Sequence, residues 1–357
     1  MNAERLHLIA ISLRNDFAKL DIPAMLQRLV TALNNQVKQP NQPQHQIQVQ
    51  KTRDELNKAL AASAVNSYTP AWLEIVEEIG GFQFIGKNIS SEIELIFNRN
   101  NISPSVVQQE LTRMNERLKP YIASLNQLCI AMKSLNVSHE NLAPGECEVG
   151  IVVPRSEVDN ALPDFGKELV QLNQIFSVFS EIVTDSRESF KIKTISSSDL
   201  TVFLDFAPGV AACTAVAIER IVSLYKNLLE IKELRARLER EGVPKEGLDG
   251  VESHANSIME NGIQKLVEEL IERYHKNPDE SRKNELKVEA KFALNKLAKR
   301  IDRGYGLDVR IEPLIGDEQL DDSPENEIVN TIINASKNIH YIAPSGEPIL
   351  NLPESVS

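Results

Sequence analysis

Apolar residues in the first 140 positions recur at intervals of three and four, the spacing of one face of an α-helix. Residues 4–36 predict two helices broken at LDIPA. Asp21 is placed to cap the second, and Pro23 falls in its first turn, where a missing N–H costs nothing. Residues 37–51, VKQPNQPQHQIQVQK, are rich in Gln and Pro and predict a loop or linker. The alternation of Ile47 and Val49 with glutamines offers a short edge strand as the alternative. Helical spacing resumes over 52–66. In YTPAWLEIVEEIGG, Thr69 stands at a cap, Pro70 at the first helical position and two glycines at the stop. A short helix around 89–98 follows. A long one opens at SPSVVQQEL, capped by Ser103, and runs toward Asn136 with a kink expected before Pro120, which removes a hydrogen bond.

The texture changes at ENLAPGECEVGIVVPR. CEVGIVVP is short, β-branched and bounded by prolines, as a strand is. Phe165, Leu169, Leu172, Phe176, Phe179 and Val183 then make one helical ridge, widened by Ile175, Val178 and Ile182. SFKIKTIS alternates loosely at Phe190, Ile192 and Ile195; with LTVFLDFA it predicts two strands. The four residues SSSD between them are of hairpin length. From Pro208 to about Arg240 one long helix is expected. Two more follow at roughly 251–276 and 278–301, then a strand in YGLDVRIEPL and a short helix near 326–335.

The predicted fold is mainly α with an α+β part. Three regions are expected: a helical domain over 1–140, an α+β domain over 145–315 that includes a helical arm at 225–301, and an acidic, Pro-containing tail over 316–357. Setting the helical hairpin aside, the second region reads βαββαβ, the ferredoxin-like plan of a four-stranded antiparallel sheet with both helices on one face. A helix over 208–240 would span about 50 Å at ~1.5 Å per residue, whereas a seven-residue strand covers about 23 Å at ~3.3 Å per residue. Half of the helix should outrun the sheet. Its seam nevertheless continues through Leu224, Leu228, Ile231 and Leu238 in a coiled-coil-like repeat interrupted at Arg235. These four residues are the expected interaction surface, on an arm that projects; the bland alternative folds the arm back into one core.

Composition narrows the function. The net charge is −12, and residues 302–357 carry 3 basic against 11 acidic side chains. No basic stripe is available to release phosphate counterions, so nucleic acid is not an expected partner. The acidic segment reads as a solvated tail. No run is long enough to span a bilayer, and the opening MNAERLHLIAISLRNDF reads as an amphipathic helix, not a secretory signal. Cys129, Cys147 and Cys213 lack CxxC spacing, which points to a reducing cytoplasm and to no structural zinc.

Candidate chemistry is sparse. GFQFIGKN formally matches GxxxxGK, but a helix precedes it, bulky residues fill it and Asn88 replaces the magnesium-binding hydroxyl. It reads as a helix stop and a turn. The six histidines are scattered, without paired helical spacing. SHENLAPGECE gathers His139, Glu140, Cys147 and Glu148, but Cys147 begins a strand and reads as apolar filling. Cys213, in the first turn of the long helix, lies in a run of small residues suited to close packing. No metal or cofactor is expected.

The strongest ligand candidate is a sheet edge. In a βαββαβ sheet the first and second strands are parallel, so Arg155 and the turn of Ser196, Ser197, Ser198 and Asp199 lie at one end. A guanidinium beside hydroxyls and turn amides could hold a phosphate or carboxylate; ordinary turn stabilisation is the simpler reading. The function expected is that of a non-enzymatic interaction or scaffold component that assembles with itself or another protein. The alternative is a sensor or enzyme for a small anionic ligand. No residue argues for any particular pathway, a bacterial stress or defence system included.

Overall fold

The computed structural model describes residues 3–100, 103–137, 142–196, 200–241, 249–313, 323–339 and 347–354. The protein is mainly helical with a small four-stranded antiparallel sheet, and the chain divides into two compact units, residues 1–141 and 142–357.

The first unit holds α1 (Ala3–Leu20), α2 (Ile22–Lys38), α3 (Pro43–Ala61), α4 (Pro70–Glu78), α5 (Gly86–Arg99) and α6 (Pro104–Ser134). α2 packs against α3 and α6, and Ile9, Leu13, Leu26, Leu29, Leu56, Leu60 and Leu111 are fully buried between the helices. The break between α1 and α2 is one residue. Asp21 adopts the left-handed conformation at φ 46°, which Asp tolerates better than most residues, and caps nothing with its side chain. Thr69 and Ser103 also make no side-chain cap; their carbonyls receive the first helical amides instead. α6 runs unbroken through Pro120.

The loop expected over 37–51 shrinks to a short turn before α3. Pro43 sits at the helix start, where its lost donor has no acceptor to miss. Glutamine is a good helix former, and Val49 points into the core while Ile47 stays exposed. Gly80 and Gly86 both take positive φ, as a helix stop and a turn require.

The second unit runs β1 (Cys147–Val152), α7 (Leu162–Thr184), β2 (Lys191–Ser196), β3 (Thr201–Phe206), α8 (Pro208–Arg240), α9 (Asp249–Tyr274), α10 (Glu280–Asp302), β4 (Gly306–Ile311) and α11 (Pro324–Ser336). The sheet order is β2-β3-β1-β4, every pair antiparallel. Register places Cys147, Val149 and Ile151 on one face with Val202, Leu204, Phe206, Val309 and Ile311, all buried. α7 lays Phe176 edge-on to Phe206 at 5.5 Å, and Phe206 stacks on Phe190 at 4.2 Å.

The loose alternation of Phe190, Ile192 and Ile195 has a structural cause. The β2–β3 register slips between Ile192 and Thr194, so Ile192 opposes Leu204 and Ile195 opposes Val202. One extra residue in the strand moves the apolar phase by one and keeps both isoleucines on the same face.

The sheet's two borders differ. β4 is covered by α11, where the Ser336 hydroxyl donates to the Val309 carbonyl at 2.6 Å. Among the described residues β2 has a strand neighbour on one side only; the strand carries the bulge, the exposed Lys191, and Lys193 paired with Glu146 and Asp205, features that discourage strand addition.

Two expectations fail in this unit. α8 is one continuous helix of 33 residues, but its distal half does not outrun the core: α9, α10 and α11 pack along it, and Tyr225, Leu228, Lys232 and Arg235 are buried. The 249–302 helices, with α11, cover the distal half of α8, which is the alternative in which the arm folds back into one core. Within the region from 316 onward, the described residues 323–339 and 347–354 are likewise no solvated tail. α11 turns Glu325 and Glu327 outward and buries Val329, Ile332 and Ala335, and Ile349, Leu350 and Leu352 lie in the core. Its acidic composition concealed a narrow apolar stripe.

Candidate functional site

The strand-end edge is built as follows. Val152 closes β1 opposite Thr201, and Ser196 closes β2 opposite the same Thr201. Both strands therefore end at one border of the sheet with β3 between them. Pro154 then leads into a 3-10 turn over Arg155–Val158, and the left-handed Asp159 and Asn160 reverse the chain. Arg155 is exposed and donates to Asn160 Oδ1 at 2.6 Å; Ser196 is buried. Ser197, Ser198 and Asp199 lie outside the described residues.

The four seam residues do not share one environment. Leu228 is fully enclosed and so unavailable to a partner. Leu224 and Ile231 are half-buried against the same core, with Leu224 pressed on Gly262 of α9, where an added Cβ would fall 2.5 Å from its methyl. Leu238 is half-buried near the end of α8.

The face that is buried instead runs Leu228, Lys232, Arg235, and this the pattern of apolar residues missed. Lys232, 2 % exposed, donates to Asp302 Oδ1 at 2.9 Å, to the Asp302 carbonyl at 3.3 Å and to Tyr225 Oη at 3.1 Å. Tyr225 in turn donates to Asp302 Oδ1 at 2.9 Å, and burial pushes its phenol up. A buried ammonium and carboxylate with their remaining valences filled is the arrangement that makes an interior ion pair tolerable. The available signal was position: Tyr225, Leu228, Lys232 and Arg235 follow a three-four-three spacing that a purely apolar count discards.

The remaining chemical candidates resolve into structure. Burial pushes the Cys147 thiol up to about 12 and raises that of Cys213 and Cys129, so none is poised as a thiolate. His7 is buried with Nδ1 2.9 Å from the Val137 carbonyl; His139 and His340 fall outside the described residues. Among the described residues no group of three or more His, Cys, Asp or Glu side chains is placed to hold a metal ion. Within GFQFIGKN, Asn88 donates to the Phe82 carbonyl across a short 3-10 turn.

The first unit has a cleft of about 400 Å³ between α2, α3, α5 and α6, lined by Gln36, Ile47, Gln50, Arg53, Phe97 and Asn100 among others. Arg53 lies over the Phe97 ring at 4.2 Å and pairs with Glu94, holding that carboxyl below its ordinary range. With its guanidinium already paired and stacked, Arg53 leaves the cleft little charge to offer an anion.

By length and composition α8 could cross a membrane, but most of its apolar window is buried inside the protein, as for a core helix. Fold and geometry thus define a mainly helical α+β protein with an internal ion-pair network. No family model, curated protein or solved structure matches the chain.

Proposed function

We propose that the protein is a non-enzymatic interaction or scaffold component, that its second unit is a ferredoxin-like βαββαβ body enlarged by the α9–α10 hairpin, and that it assembles with a second copy or another protein. The observation that supports this is an apolar flank on that body. Leu162, Val170, Ile192 and Ile195 are 82, 58, 53 and 46 % exposed. Phe190 N donates to Asn173 Oδ1 at 3.4 Å, so α7 lies beside the start of β2. The two elements run in opposite directions. One turn back to Val170 and two residues on to Ile192 therefore lead the same way, by about 5 Å and about 7 Å. Leu162 and Ile195 continue along that flank. Single exposed apolar residues are ordinary, whereas several along one flank mark an interaction surface. The bulge and lysines of β2 favour a partner that meets side chains over one that adds a strand. The setting proposed is a reducing compartment such as the cytoplasm, where three buried, unpaired thiols persist.

Light scattering on the full chain across a concentration series, with and without Val170→Asp plus Ile192→Asp, tests self-assembly. The expected outcome is an oligomer that the double substitution converts to a folded monomer. A monomer at every concentration moves the reading to a different protein, to be sought by cross-linking. An oligomer indifferent to both substitutions sinks the flank.

A second reading is favoured by the shared pairing of Val152 and Ser196 with Thr201: a small anion bound by Arg155 and Ser196, with Ser197, Ser198 and Asp199 as the further candidates. Thermal shifts with inorganic phosphate and a nucleotide set, repeated on Arg155→Ala, decide it. Stabilisation lost in the variant supports the reading; no stabilisation of the native chain by any of them ends it.

A further inference from the structure

Residues 347–354, EPILNLPE, cross α8, α9 and α10 as an extended strap without helix or strand pairing. The polar contacts that hold the strap's buried middle go to its backbone. Ile349 N and Leu350 N both donate to Asp302 Oδ2, at 2.6 and 2.8 Å. Asn256 accepts from Asn351 N at 2.7 Å and donates to the Ile349 carbonyl at 3.4 Å. Asn295 donates to the Pro353 carbonyl at 2.7 Å. Ile349, Leu350 and Leu352 fill the floor, and Lys299 pairs with Glu354 at the end. Side-chain amides and a carboxylate that read main-chain groups, with apolar sockets between them, are how grooves bind extended peptides.

The charges beneath the strap do not depend on it. Were it to leave, Asp302 would lose two amide donors from Oδ2 but keep Lys232 and Tyr225 on Oδ1. Arg235, also buried, would keep Glu252 at 2.8 Å and Glu239 at 3.3 Å, losing only Glu347 at 3.9 Å. Release therefore leaves no buried ion without its counter-ion, the condition that would otherwise lock the strap in place.

We propose that residues 347–354 are a detachable strap occupying a peptide-reading groove, and that its release exposes a site for an extended peptide with two successive apolar residues, a third two positions on, and an acidic end. The groove recognises backbone and apolar volume, so a peptide of another sequence but this pattern fits it.

Hydrogen exchange on the unmodified full chain is the first test. The amides of Ile349, Leu350 and Asn351 should open by a local route, exchanging about tenfold or more faster than core amides of α8 and with little dependence on denaturant. Equal rates for strap and α8 mean that the strap leaves only when the unit unfolds, which overturns the proposal. The second test uses full-length Leu350→Asp plus Leu352→Asp and a labelled synthetic EPILNLPE peptide. Saturable one-to-one binding is expected for the folded variant, and at least about tenfold weaker binding for the unsubstituted chain, whose own strap competes. A peptide N-methylated at its Ile and Leu amides, which cannot donate to Asp302, should bind at least about tenfold less. A folded variant that does not bind, or binds both peptides alike, refutes the groove. Should the variant not fold, the exchange measurement alone decides.

Discussion

Over its first four turns α8 buries Val210, Ala211, Ala212, Cys213, Ala215 and Ala217, small residues enclosed on nearly every side. Over its later turns it buries Tyr225, Leu228, Lys232 and Arg235, large residues on one side only. The first half gains contact by letting neighbouring backbones come close and asks little of its partners beyond shape. The second half carries two cations inward and so needs particular acceptors: Asp302 at the end of α10 for one, Glu252 on α9 for the other. Apolar packing of the first kind tolerates many neighbours of the right volume. Ionic packing of the second kind fixes which residues meet, and thereby the register of α9 and α10 on α8.

Five substitutions or titrations break or sharpen this contrast. The largest effect belongs to Lys232→Met, expected to cost about 3–5 kcal/mol by chemical denaturation because it strands Asp302 in the interior. Adding Asp302→Asn should return part of that loss; a neutral Lys232→Met would mean that the pair is not interior. In the first half, Ala215→Leu should cost about 1–3 kcal/mol through overpacking, and a stabilising result would reveal unfilled space there. Asn256→Ala removes bonds to Glu252, Ile349 and Asn351, at about 1–2 kcal/mol, with faster amide exchange confined to residues 349–351. Titration probes the Cys213 thiol, which burial pushes above its ordinary value of 9.0. A raised folded value favours the neutral thiol, so its contribution is complete below pH 9.0 and is lost as pH rises further. The slope should be at most about 1.4 kcal/mol per pH unit, and Cys213→Ala should flatten it. Leu234→Ser, at a position 38 % exposed, should stay within about 0.5 kcal/mol.

Local elements were legible wherever one periodicity ruled. The strand at Cys147–Val152 and the ridge of α7 follow directly from alternation and from three-four spacing. Prolines marked the starts of α4, α6 and α8. What the pattern hid was long-range. Gln- and Pro-rich composition disguised α3, because a proline at a helix start and one in a loop look alike without the partner helix α2. A seam that follows apolar letters alone takes in Leu224 and Ile231 and passes over the buried Lys232. Whether a lysine points inward depends on an aspartate 70 residues away, and no local window contains that. At the strand-end edge only the backbone pairing is on view: Val152 and Ser196 both oppose Thr201, while Ser197, Ser198 and Asp199 lie outside the described residues.

The slip beside Lys193 has a consequence for crowded conditions. A border strand with one surplus residue is bent and overtwisted, so a second such border cannot lie flat against it over its whole length. With the opposite border roofed by α11, the folded sheet is a poor template for edge-to-edge addition, and concentrated folded protein should bind amyloid dyes weakly.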